Sequence, residues 1–429
     1  MTLHRLGLRG LLDGLRAGTY TAEALTRDLL ARIAAREPAV RAWAWLDEQR
    51  VRDSARRPAA GALGGIPVGI KDIMHVRGLP TGMGSPAFEG FIAGETATAV
   101  KRLEAAGAFV LGKTVTAELA YFHPGPTRNP WNSAHTPGGS SMGSAAAVAA
   151  GMVPLALGTQ TNGSVIRPAA FCGCVGFKPS QDTIPLDGML AFSPSLDQVG
   201  VFTRTVDDAA LAVSVLADRS MALAPFAQAP RLAAVRSPVW PLAEPAAQKH
   251  FEDCLARLRR GGAKVVEVEL PEAFSQAHAI QHAIMYAEGA RSLADIQARH
   301  RVQLSAALNE LIDEGRAIAA SDLAGALAER ARLQEALAAF QSDFDALVTP
   351  PARGEAPATL AHTGDPAFCT IWTLCGVPAL TFPTGFGPQG LPLGLQVVGR
   401  RQDDAHLLAV AQWCARAIGF DIGFPDDGS

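Results

Sequence analysis

Lysine is scarce in this chain of 429 residues: of 38 lysines and arginines, only six are lysine. Any lysine in an apolar setting therefore needs a reason. The formal net charge of −3 leaves no basic footprint, which excludes nucleic acid as the main partner. The six cysteines (Cys172, Cys174, Cys254, Cys369, Cys375, Cys414) form no C-x-x-C pair and no zinc-ligand spacing. Most lie in apolar surroundings, as reduced core cysteines do. With no N-terminal apolar signal region, they predict a cytoplasmic protein. The longest apolar stretch, residues 145–158, is too short to span a bilayer and contains Pro154, so no membrane segment is expected. The ten histidines are scattered and make no H-E-x-x-H pattern. His75 and His135 read as loop hydrogen-bonders, and no metal or other cofactor is implied. Internal repeats and low-complexity linkers are also missing.

What is present is apolar: 48% hydrophobic against 18% charged residues, the makeup of a large core under a thin charged surface. Residues 1–57 read as a helical strap. Thr21 can cap a helix over 22–37, with Leu25, Leu29 and Ile33 on one face and Pro38 as its stop. A strand–helix–strand succession fills 61–219: a buried strand ending at Lys71, a helix over 96–106, a strand over 108–111, a small-residue helix and a strand over 153–159. Another such unit covers 231–270. Residues 271–340 are helical and alanine-rich, inside a variable segment spanning 220–345. Strands at 345–350, 379–382 and 394–398 and a last helix over 405–418 bring the 346–429 region back to the core. Strands at both ends most simply complete one sheet. The expected fold is one α/β domain over 1–429, a mixed, mostly parallel sheet with helices on both faces.

Three features carry candidate chemistry. Lys71 follows Ile66–Pro67–Val68–Gly69–Ile70, a segment that reads as buried on both faces. A buried ammonium loses hydration, its pKa falls, and a lysine neutral near pH 7 can act as a general base. The alternative is a salt bridge to Asp72. Ser164 closes Gln160–Thr161–Asn162–Gly163–Ser164, a turn beyond a strand's carboxyl end, whose N–H groups could converge on one oxyanion. A plain turn is the competing reading. Ser140 and Ser141 lie in Gly139–Ser140–Ser141–Met142–Gly143, which fits G-x-S-x-G with Ser141 as nucleophile. That elbow needs a strand before it, whereas residues 129–137 form a loop with two prolines, so it fails on context. No G-K-[ST] follows the glycines, and no lysine has a serine three positions earlier, which removes the phosphate-loop and S-x-x-K readings.

Together the three features resemble the amidase signature family. The resemblance spans nearly the whole chain and includes Arg128–Asn129–Pro130–Trp131, Gly176–Phe177–Lys178–Pro179, Ser195–Leu196–Asp197–Gln198–Val199–Gly200 and Gly390–Leu391–Pro392–Leu393. It implies a Ser–Ser–Lys triad: Ser164 as nucleophile, Ser140 after a cis peptide bond as proton relay, Lys71 as base. The N–H groups of Thr161, Asn162, Gly163 and Ser164 would form the oxyanion hole. A serine hydroxyl needs an adjacent base, and a buried lysine supplies one without histidine or metal.

Many family members have an acidic residue four positions before the nucleophile and an arginine two after it. Here Gln160 holds the first place and the arginine is displaced to Arg167. That form looks like the malonamidase subgroup, in which the arginine at this place binds a substrate carboxylate. A guanidinium there would favour a small anionic amide; its alternative is to brace the turn through backbone carbonyls. Asn162, Gln160, Ser141 and Met83 complete the expected substrate contacts. The leading expectation is an amidase acting on a small carboxylic amide, with a dicarboxylate monoamide such as malonamate first in line. Aryl, ureide-type (biuret- or allophanate-like) and indole-acetamide-type amides are the alternatives within the same chemistry. A glutaminase-type subunit of a tRNA amidotransferase complex is the third expectation. A homodimer is compatible with the sequence.

Overall fold

A computed structural model describes residues 2–425 except 222, 224, 225 and 227, so both ends of the expected 1–429 span lie outside the described residues. Eleven strands form one sheet: β1 (Trp43–Leu46), β2 (Pro67–Lys71), β3 (Phe109–Thr114), β4 (Ala156–Gln160), β5 (Val175–Lys178), β6 (Gln198–Thr203), β7 (Arg231–Arg236), β8 (Lys264–Glu269), β9 (Ala346–Thr349), β10 (Ala379–Phe386) and β11 (Pro392–Val398). Their order is β1-β3-β2-β4-β6-β5-β10-β11-β9-β7-β8, so strands from both ends of the chain share one sheet.

Alternate side chains of a strand leave opposite faces of the sheet, and here both faces are covered. On β4 and β6, Leu157 and Val201 join the larger hydrophobic cluster, while their neighbours Ala156 and Phe202 join a second one. The second cluster packs the helix Met142–Ala149 and residues of the helix Ala22–Val40 against the sheet. Every residue of Met142–Ala149 is buried, which explains its alanine-rich sequence. A Cβ on Gly143 would come within 2.1 Å of the Ala42 carbonyl oxygen.

The expected single α/β domain with helices on both faces is observed, but the sheet is not mostly parallel. Of ten strand pairings among the described residues, four are parallel: β2–β3, β2–β4, β7–β8 and β7–β9. The antiparallel excess has two sources. β10 and β11 are joined by a short turn that leaves no room for a crossover. β6, beyond the last strand expected in 61–219, enters between β4 and β5, antiparallel to both. The N-terminal strap is helical except for β1, which edges the sheet beside β3. Thr21 caps its helix by accepting from the Ala24 N–H, but Pro38 does not end it. The helix runs to Val40 and stops at Arg41, which is left-handed (φ 55°). The residues after that stop are fixed by the Glu37 carboxylate, which accepts from the Ala42 and Trp43 N–H groups at 2.9 and 3.0 Å.

Candidate active site

β4 runs parallel to β2, with Ile70 beside Leu157, so the carboxyl ends of these two strands lie together. Open α/β sheets bind ligands beyond such ends. Lys71 is the last residue of β2, and the 160–164 turn leaves β4. The loop 137–141 reaches the same place because Gly138 sits at φ 81° against Pro168, where a Cβ would come within 2.7 Å of the Pro168 Cα. The Gly139–Ser140 peptide bond is cis.

Lys71 is fully buried, and its Nζ lies 2.8 Å from Ser140 Oγ and 2.7 Å from Thr159 Oγ1. Burial lowers its pKa to about 7, with the Asp197 charge working in the opposite direction. The salt-bridge alternative is therefore not what Lys71 makes: Asp72 pairs with Lys113 at 2.8 Å instead. Ser140 and Ser164 line one narrow pocket, open at its mouth. Ser164 is half-buried, and among the described residues its hydroxyl takes no hydrogen-bond partner. The N–H groups of Asn162, Gly163 and Ser164 likewise donate to no acceptor among those residues. Unspent N–H groups beside an accessible serine hydroxyl can stabilise charge on a tetrahedral oxygen.

Arg167 also lines the pocket, from the buried helix Ile166–Cys172. It does part of what each reading required. Its Nη2 donates to the Gly139 carbonyl at 2.7 Å and to Thr363 Oγ1 at 3.2 Å, bracing the loop before Ser140. Its Nε and Nη1 are buried with no partner among the described residues. Burial pulls its pKa down to about 10, which still leaves a cation at neutral pH.

Three expected substrate contacts lie elsewhere. Gln160 sits beneath the turn, where its Oε1 accepts from the Val165 and Ile166 N–H groups at 2.7 and 3.0 Å and its Nε2 donates to Thr373. Its carboxamide is spent on shaping the turn. Ser141 faces β4 and exchanges hydrogen bonds with the Thr159 backbone at 3.2 Å, in space left by Gly158. Met83, left-handed at φ 51°, is buried in the large cluster. None of the three lines the pocket. Asn162 does, with its Oδ1 accepting from Thr370 at 2.8 Å. His135 bonds the Ala356 carbonyl at 2.7 Å, a loop contact as expected.

The sequence reading missed the walls. Tyr121, Phe122, Phe192, Met285 and Pro366 line the pocket. They come from a loop, a connection and two separate helical regions, so no local pattern marks them. Tyr121 stacks on Phe192 at 5.7 Å and shares a 2.9 Å hydrogen bond with Tyr286, on the helix Ala277–Ser292. Three tyrosines in the whole chain were the only available signal.

A protein-family model described as Amidase matches residues 24–408. The chain belongs to the Amidase family. It is an enzyme of amide C–N hydrolysis, and its relatives sharpen the range of substrates to weigh. The A-type subunit of the glutamyl-tRNA(Gln) amidotransferase of Nitratidesulfovibrio vulgaris is 35% identical, over 97% of each chain. A solved structure described as an amidase superposes with a TM-score of 0.88 at 32% identity, covering 96% of this chain and 99% of that one. The corresponding amidotransferase subunit of Thermotoga maritima gives a TM-score of 0.81 at 28% identity, over 96% and 95%. Among the described residues, no helix of this Amidase-family chain is long and apolar enough to cross a membrane.

Proposed function

We propose that the chain hydrolyses a small primary amide whose acyl part ends in a carboxylate, through an acyl-enzyme on Ser164. Neutral Lys71 takes the proton of Ser140 as Ser140 takes that of Ser164, and Ser164 Oγ attacks the amide carbon. The oxygen that becomes negative receives the N–H groups of the 161–164 turn. Ser140 returns a proton to the nitrogen as the C–N bond breaks and ammonia leaves. Water then opens the ester by the same route, giving the acid and free Ser164.

The observation that carries the substrate is the pair of unpartnered, buried nitrogens on Arg167. Unmet donors on a buried cation are costly, and a carboxylate accepting from one of them relieves part of that cost. Neutral aryl or indole amides would leave both unmet, whereas a dicarboxylate monoamide such as malonamate would not. The six buried, unpaired cysteines support a cytoplasmic setting.

A second reading has support of its own. Likeness to these amidotransferase subunits at 34–35% identity along nearly the whole chain favours glutamine, hydrolysed within a complex. Glutamine is also a primary amide with a distal carboxylate, but it carries an ammonium as well. No aspartate or glutamate is among the described residues lining the pocket, and for that reason we rank the monoanionic amide first.

Ammonia release from malonamate, glutamine, biuret, indole-3-acetamide and benzamide tests both readings. Malonamate is expected to lead, with Arg167→Ala lowering its kcat/KM by about 10²-fold more than that of the neutral amides, in protein whose melting is checked. A neutral amide as best substrate, or a uniform loss in Arg167→Ala, would refute the carboxylate site. Glutaminase activity that appears only with co-purified partner subunits would install the second reading.

A further inference from the structure

No step above uses Asp197, although it is one of the most completely engaged buried acids in the molecule. β4 and β6 run antiparallel with Gln160 opposite Gln198, so the residue leaving β4 meets the residue entering β6. There Asp197 Oδ1 accepts the Thr161 hydroxyl at 2.6 Å. Oδ2 accepts the N–H groups of Phe192 at 2.8 Å and Ser193 at 3.0 Å. Asp197 is only 4% exposed. A carboxylate without water needs such donors to stay ionised. Burial raises its pKa to about 6, and its three donors and Lys71 pull the other way, so it is negative at neutral pH. Two of the three groups it holds, Thr161 and Phe192, line the pocket from different segments.

The other charged groups around Lys71 are already engaged. Asp72, its neighbour on the strand end, is bound to Lys113 of β3. Arg167 is held at Gly139 and Thr363. The loop 137–141 and β4 offer Lys71 only the hydroxyls of Ser140 and Thr159. Asp197, entering β6 beside β4, holds Thr161 two residues beyond the Thr159 hydroxyl that meets Lys71, which places a negative charge close to that amine.

We propose that Asp197 is a positioning residue for the hydrolysis, fixing Thr161 and Phe192 on two sides of the pocket and supplying the counter-charge to Lys71. The proposal rests on the reading of Lys71 as the base. Its consequence is electrostatic as well as steric. Burial alone favours the amine form of Lys71, and a nearby carboxylate favours the ammonium, so Asp197 keeps Lys71 basic enough to take a proton from serine.

Asp197→Asn keeps the shape and removes the charge. Lys71 should then lose its proton at lower pH, moving the acid limb of kcat/KM on the best amide down by at least about half a pH unit. The plateau should fall roughly 10-fold, because the base is weaker and Thr161 is held less firmly. A purely structural role would lower the plateau and leave the limb in place, so an unmoved limb in folded Asp197→Asn protein overturns the proposal. Should that variant not fold, Thr161→Val and Thr161→Ser decide the positioning half: Val is expected to lose roughly 10-fold and Ser to restore most of it. A Thr161→Val enzyme as active as the parent refutes it. Lys71→Ala is the control for the underlying reading; full activity there would remove the base itself, whatever Asp197 does.

Discussion

Three of the six lysines are buried: Lys71, Lys113 and Lys178. Their surroundings divide them. Lys113 is an ion-pair partner, at 2.8 Å from Asp72. Lys178 is also lowered to about 7 by burial, yet it donates to the Pro179 and Val377 carbonyls and to Gln198, bracketing β5 to the segment before β10. Only Lys71 meets a serine hydroxyl that lines a pocket. A depressed lysine pKa thus marks burial, and the partner atom marks chemistry. Because Lys71 is lowered to about 7, it is mostly ammonium below that pH and cannot accept a proton. The rate kcat/KM should therefore rise with pH through about 7 and level off above it; a profile already flat from pH 5 to 9 would exclude Lys71 as base. For Lys113→Ala, which leaves Asp72 buried and unpaired, urea denaturation should show a loss of about 3–5 kcal/mol. The exposed Lys249–Asp253 pair is a control, and Lys249→Ala should cost at most about 1 kcal/mol.

At the scale of elements, the helix Ala277–Ser292 ties the variable segment to the chemistry. Gln281 reaches the Thr161 carbonyl at 3.3 Å and Asn162 at 3.4 Å, Met285 lines the pocket, and Tyr286 bonds Tyr121. The helical, alanine-rich region 271–340 thus contributes a wall of the pocket through Met285. Tyr286→Phe removes one hydrogen bond and keeps the ring. KM should rise about 2- to 10-fold with kcat changed less, as expected for a group that shapes the ground-state site. An unchanged KM would show that the tyrosine pair is irrelevant to binding. Turns and strand ends in this chain were legible because glycine, proline and serine mark them locally. Helix Ile166–Cys172 and strand β6 were not: one follows directly on the 160–164 turn and contains Pro168, and the other lies past 153–159, the last strand read in 61–219.

For the whole molecule, one hydrophobic cluster runs from Leu3 to Ile418 and includes strands from the N-terminal, middle and C-terminal thirds. Such a core has no internal boundary at which to separate, so calorimetry should record one unfolding transition. Trp372, 1% exposed in that cluster, tests this. Trp372→Ala should destabilise by about 3–5 kcal/mol and move the whole transition. A second, lower-temperature transition for residues 220–345 would show instead that the variable segment unfolds by itself.

The sequence by itself determined the two glycine–serine turns, the buried lysine and the spacing that relates them. Local steric and burial demands write those features into residue type. It also determined an apolar strand pattern sufficient for a large α/β core. Strand direction was decided only in three dimensions, since an apolar run of five residues reads the same whichever way its neighbour runs. Which side chains face the substrate was decided there too. Gln160 and Ser141 lie within a few positions of Ser164 and Ser140 yet turn away to bond the Val165 and Ile166 N–H groups and the Thr159 backbone, while Tyr121, Phe192 and Met285 arrive from far along the chain. Proximity in sequence sets which atoms are available; packing and hydrogen-bond satisfaction decide where they point.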